Sequence, residues 1–137
     1  MAIDLTAGKN VNRNRNLADD VGIISNGKGI ATFKPLGAAQ ALTDAGAANV
    51  TSFYTTLTTT GAAAVTLADG TMIGQLKKIQ MIVDAGDATL TPSNLSGGTT
   101  ITFADAGDFC LLMWDGTNWR VLELGNAADG ATAPALA

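Results

Sequence analysis

The sequence predicts an all-β protein: an antiparallel sandwich, barrel or β-roll of about seven short strands, led by an N-terminal hairpin and, before it, an extended N-terminal arm. Three observations carry this expectation. From Thr51 onward apolar residues recur at every second position, as in Phe53 and Leu57 among threonines and then Ala63, Val65 and Leu67. The intervening residues are rich in Thr and Val, whose branched Cβ favours pleated backbone over helix. Turn-forming text then punctuates the chain at intervals of about ten residues. It reads Asp69-Gly70, Asp84-Ala85-Gly86-Asp87, Ser96-Gly97-Gly98, Asp105-Ala106-Gly107-Asp108 and Asp115-Gly116-Thr117-Asn118. No strand–helix–strand spacing is present, which argues against an α/β fold.

Taken in order, residues 1–20 form the arm. Their Asn and Arg alternate from Asn12 to Asn16, with few apolar anchors, so they bury too little to fold alone. An extended backbone puts Arg13 and Arg15 on one side and Asn12, Asn14 and Asn16 on the other, a docking segment with Lys9 upstream. Residues 21–126 form the body. It opens with a hairpin at 21–33, because Asn26-Gly27 between two Ile/Val-rich runs accepts the positive φ of a tight primed turn. Residues 38–50, AAQALTDAGAANV, read as a turn of helix or a loop. Strands are expected at 52–60, 62–68, 75–83, 87–91, 99–104, 108–114 and 119–124, and residues 127–137 are expected to be a flexible tail.

The faces of these strands say more. Ile101 and Phe103 alternate with Thr100 and Thr102, a half-buried strand. Phe109 to Trp114 is apolar on both faces and needs cover twice, as a central strand or as part of a subunit interface. Phe109, Leu111, Met113 and Trp114, with Trp119 across the turn, are therefore interface or core candidates. The two tryptophans bracket a turn and are placed to pair across a hairpin. Lys78 and Gln80 fit a wet face. Lys77 shares the other face with Ile79, Met81 and Val83, so it is expected at a strand end or paired with an Asp of a neighbouring chain.

Composition narrows the function. With 0 His and 1 Cys among 137 residues, His-based triads, His-ligated metals and disulfide frameworks are absent from the inventory. Cys110 lies in the densest apolar run and reads as a core thiol. Asp84, Asp87, Asp105 and Asp108 offer oxygens for calcium or a carboxylate pair for hydrolysis, but Asp and Gly are also what turns require, and the turn reading is preferred. No enzyme activity and no cofactor are expected. The net charge of −4 divides unevenly, since all but three of the eight cations lie in residues 1–34 and nine of the twelve anions follow. An acidic body repels polynucleotide and anionic membrane surfaces, so neither nucleic acid nor membrane is an expected partner. No run of 18 apolar residues occurs, and MAIDLTAGKN carries Asp4 and no apolar signal stretch, so a soluble protein made in the cytoplasm is expected.

The text TTTGAAAVTLADGT leading to GQLKKI, then DATLTPSNLSGGTTITF, a GD-initiated apolar strand and the final WDGTNWRVL resembles a β-rich module of virion structural proteins from tailed bacteriophages, over about residues 42–126. The resemblance implies virion assembly as a homotrimer, without catalysis. A short arm plus one compact body further suggests a capsid decoration, or cement, protein. It would be assembled in the host cytoplasm onto the capsid surface, with Lys9, Asn12, Arg13, Asn14, Arg15 and Asn16 lying across neighbouring major capsid protein subunits. The alternative is a head-fibre, tail-fibre or baseplate component that meets a host receptor through loops 92–98 and 115–118.

Overall fold

The computed structural model describes residues 37–130 and 132–137, together with the backbone of Ile23–Ser25 and Ala31–Phe33. The chain divides into two units, Met1–Leu36 and Gly37–Ala137. In the first, β1 (Ile23–Ser25) and β2 (Ala31–Phe33) pair antiparallel, with Ile23 opposite Phe33. That is the pairing expected of a hairpin around Asn26-Gly27, although the turn itself and the arm of residues 1–20 lie outside the described residues.

The second unit is all-β. Its strands are β3 (Gln40–Thr43), β4 (Gly46–Ala48), β5 (Tyr54–Thr58), β6 (Ala63–Leu67), β7 (Leu76–Val83), β8 (Ala88–Pro92), β9 (Ile101–Phe103), β10 (Asp108–Trp114), β11 (Trp119–Asn126) and β12 (Ala135–Leu136). All seven strands expected between residues 52 and 124 are present, and no end moves by more than two residues. The ten strands β3–β12 form two five-stranded sheets, neither closed into a barrel, in the orders β11-β10-β7-β5-β3 and β12-β9-β8-β6-β4.

The pairing departs from the antiparallel expectation. β3, β5 and β7 run parallel in the first sheet, and β4, β6 and β8 run parallel in the second. The cause is the path of the chain, which crosses from the first sheet to the second after β3, β5 and β7 and returns after β4 and β6. Each circuit brings the backbone back beside its previous strand in the same direction. β9 to β12 then reverse direction and pair antiparallel, so both sheets are mixed.

Two further expectations are corrected. Residues 38–50 hold β3 and β4 rather than a helical turn or loop, because edge positions beside β5 and β6 satisfy backbone groups that an isolated Ala-rich segment would satisfy by coiling. The C-terminal segment, expected to be a flexible tail, contributes β12 beside β9. There Ala137 N donates to Thr100 O, the amides of Thr99 and Thr100 donate to Ala137 O, and Pro134 is buried.

Alternation decides the core. Leu57, Ile79, Met81, Cys110, Leu112, Trp114 and Trp119 of the first sheet join Val65, Leu67, Leu90, Ile101 and Phe103 of the second in one buried cluster. Each large side chain removed from water stabilises the fold by about 1.5–3 kcal/mol before conformational entropy is subtracted.

Candidate functional site

The residues proposed as interface or core separate cleanly by side. Along β10 the burial alternates, with Cys110, Leu112 and Trp114 inside and Phe109, Leu111 and Met113 half-buried on the outer face. Trp114 and Trp119 are core residues, paired across the β10–β11 turn with ring centroids 5.4 Å apart and planes tilted by 59°. Trp119 also donates its indole N–H to Ala68 O at 2.9 Å. β10 is an interior strand of its sheet, paired on both edges with β11 and β7. Among the described residues its outer side chains, Phe109, Leu111 and Met113, are half-buried beside neighbours on the same face.

That outer face carries large apolar groups that residue-by-residue reading missed. Leu76 and Ile82 of β7 are 37% and 49% exposed, and Leu122, at the β11 irregularity, is 51% exposed. Met72 and Ile73, in the loop entering β7, are more exposed still. The available signal was the spacing Leu76, Lys78, Gln80, Ile82, a face wet in its middle and apolar at both ends. Lys78 spans this surface with its Nζ 4.5 Å from the Phe109 ring centroid and 5.9 Å from that of Tyr54. Tyr54 in turn donates its hydroxyl to Gln80 Oε1 at 2.9 Å.

Lys77 takes the first of the two placements read for it. It lies one residue inside β7, as a strand-end position predicts, yet it is 1% exposed, and its Nζ meets Ser52 O at 2.9 Å and Ser52 Oγ at 3.3 Å rather than a carboxylate. Burial pulls its pKa down to about 8, partly opposed by Cys110. Cys110 is buried as read from the sequence, and burial pushes its thiol up to about 12, so it is protonated at neutral pH.

The two Asp-Ala-Gly-Asp turns come together at one end of the unit. Gly107 N donates to Met81 O, Ala63 N to Asp87 O, and Thr59 N to Val83 O, which ties these turns and the β5–β6 connection into one rim. The carboxylates there serve the turns. Asp108, 1% exposed, accepts from Ala104 N, Asp105 N and Asn126 Nδ2, and Asp84 accepts from Gly86 N. Gly107 adopts φ 97°, and a Cβ there would stand 2.6 Å from atoms of Ala128 and Asn126, so glycine is required. Among the described residues no cluster of three or more Asp, Glu or Cys is arranged to hold a metal ion.

At the opposite end, loops 92–98 and 115–118 are joined. Ser96 N donates to Trp119 O, Trp119 N to Asn94 O, and Arg120 reaches Ser96 Oγ at 2.6 Å while pairing with Asp115. Three donors, Asn118 N, the Arg120 side chain and Thr117 N, hold the Asp115 carboxyl down at about 2. Pro92, Asn94, Leu95, Thr99 and Asn118 line a shallow groove of about 340 Å³ beside these loops. Both tryptophans lie beneath the surface here, so the groove has no aromatic platform. The arm candidates Lys9, Asn12, Arg13, Asn14, Arg15 and Asn16 fall outside the described residues. No helix among the described residues is long and apolar enough to cross a membrane. In comparisons with known proteins, no family matches this chain and no curated protein matches it.

Proposed function

We propose that this chain is a structural virion protein that binds the outside of a tailed-phage capsid as a decoration protein and stabilises the shell as a homotrimer. Two features support the reading. One is the resemblance of residues 42–126 to phage virion β modules. The other, which carries it, is the outer face of the first sheet, where Leu76, Ile82, Phe109, Leu111, Met113 and Leu122 meet solvent together. Scattered exposed apolar residues need no explanation, but a contiguous group on one sheet marks a contact surface. Cementing requires no chemistry at a site. Linked copies turn modest contacts into strong avidity, and the arm of residues 1–20, with Lys9, Arg13 and Arg15, supplies the contacts to the major capsid protein.

The test is binding to purified phage heads stripped of the protein. The full chain is expected to bind and to raise the temperature at which the heads open. A chain lacking residues 2–20 is expected to keep its β-type circular dichroism and lose binding. Retained binding by the truncated chain overturns the role of the arm, and failure of the full chain to bind overturns decoration.

The groove formed where loops 92–98 and 115–118 meet favours a second reading, a fibre or baseplate component that contacts a host receptor. Immunogold labelling separates the two, since label over the whole shell supports decoration and label confined to the tail or to isolated projections supports the fibre reading.

A further inference from the structure

We infer that the outer face of the first sheet, centred on β10, is the surface through which copies of this chain meet, about an axis that runs along β10. The two sheets differ in what they present outward. The second shows small or hydroxylated residues, Ala64, Thr66, Thr89, Thr91 and Thr102, whereas the first shows Leu76, Ile82, Phe109, Leu111, Met113 and Leu122. Gly125 keeps that face flat: a Cβ there would lie 2.8 Å from the Phe109 ring, which occupies the space a side chain would fill.

The register then makes the face complementary to itself. Three rows cross β7, β10 and β11 in order: Gln80, Phe109, Gly125; then Lys78, Leu111, Glu123; then Leu76, Met113, Arg120. The middle column is wholly apolar. In the central row a cation and an anion flank Leu111, two strand spacings apart, about 10 Å. Glu123 belongs to no ion pair among the described residues, where the one pair is Arg120 with Asp115.

A rotation axis along the strands keeps every row at its own height. It turns the β7 side of one copy toward the β11 side of the next, so Lys78 meets Glu123 of the next copy while Phe109, Leu111 and Met113 converge on the axis. A two-fold axis across the strands instead sets Lys78 opposite Lys78. The closed cycle of such contacts is a ring, and its size of three rests on the virion reading proposed above. The axis also places the Asp-bearing ends of the copies side by side. Asp84, Asp87 and Asp105 there are solvent-exposed and screened beyond about 8 Å at physiological salt, so contacts excluded from water on the apolar face dominate.

The experiment reads the mass of the free full-length protein by analytical ultracentrifugation, with circular dichroism to confirm folding. The native chain is expected as a trimer and Leu111→Lys as a folded monomer. Glu123→Lys, which leaves the Lys78 contact with Phe109 untouched, is expected to weaken association at least about tenfold, as is Lys78→Glu. The double variant Lys78→Glu/Glu123→Lys is expected to recover most of the loss, because only a pair between copies is restored by the swap. A native monomer or dimer, single reversals without effect, or a double variant no better than either single overturns the inference. A trimer with charge rescue that ignores phage heads leaves it standing and removes the decoration reading instead.

Discussion

Buried amines are uncommon, and Lys77 sits in this core with Ser52 as its hydrogen-bonding partner and no carboxylate among the described residues. Its folded-state pKa of about 8 lies below the 10.5 of the free side chain. Below pH 8 both states carry the charge and the native state bears the full cost of desolvating it. Between pH 8 and 10.5 the native protein has released its proton while the unfolded chain has not, so stability rises with pH. Cys110 acts in the opposite sense, since its thiol titrates at about 12 in the fold against 9.0 when free, and stability falls from pH 9 toward 12. The interval from pH 8 to 9 therefore belongs to Lys77. Urea unfolding of the native chain is expected to show a rise there of at most about 1.4 kcal/mol per pH unit. Lys77→Met is expected to abolish it, and a variant that keeps the rise refutes this account. The burial of Lys77 was half legible: its alternation with Ile79 and Met81 pointed inward, but the acceptor, a backbone carbonyl at Ser52, carries no mark in the sequence.

Hairpins and crossings behave differently as elements. The β10–β11 hairpin is specified locally, because Asp115 accepts from Thr117 N and Asn118 N and so bends the chain on its own, and Trp114 faces Trp119 across it. The same Trp119 also reaches beyond the hairpin to Ala68 O, at the end of β6 in the other sheet. Trp119→Phe keeps the apolar ring and removes that bond, leaving a carbonyl without its donor. The expected cost is about 1–3 kcal/mol, read as a lower urea midpoint with an unchanged slope. No change in midpoint would show that the bond between Trp119 and Ala68 contributes nothing. The strands β3 and β4 are the opposite case. Ala41, Leu42, Ala47 and Ala48 have no strong strand preference, and they are extended because β5 and β6 offer open edges beside them.

The whole second unit closes over one thiol. Cys110 is fully buried on β10, which runs antiparallel to both β7 and β11, and it faces the cluster shared by the two sheets. Alkylation of this cysteine by iodoacetamide is expected to proceed only as fast as the sheets part, and so to accelerate with urea in step with unfolding. Labelling of the native protein at the rate of a free thiol would show that the core opens locally. The positions of seven strands, the direction in which most of their side chains point and the turns between them were readable in the chain, because alternation and Asp-Gly text act over a few neighbouring residues. Which sheet each strand joins, and whether it runs parallel or antiparallel there, was not. Asp84-Ala85-Gly86-Asp87 crosses between sheets after β7 and Asp105-Ala106-Gly107-Asp108 crosses back after β9, with the same four letters. Local text encodes that the backbone turns, whereas its destination depends on which distant strand offers a free edge and an apolar face, an interaction that exists only once the chain has folded.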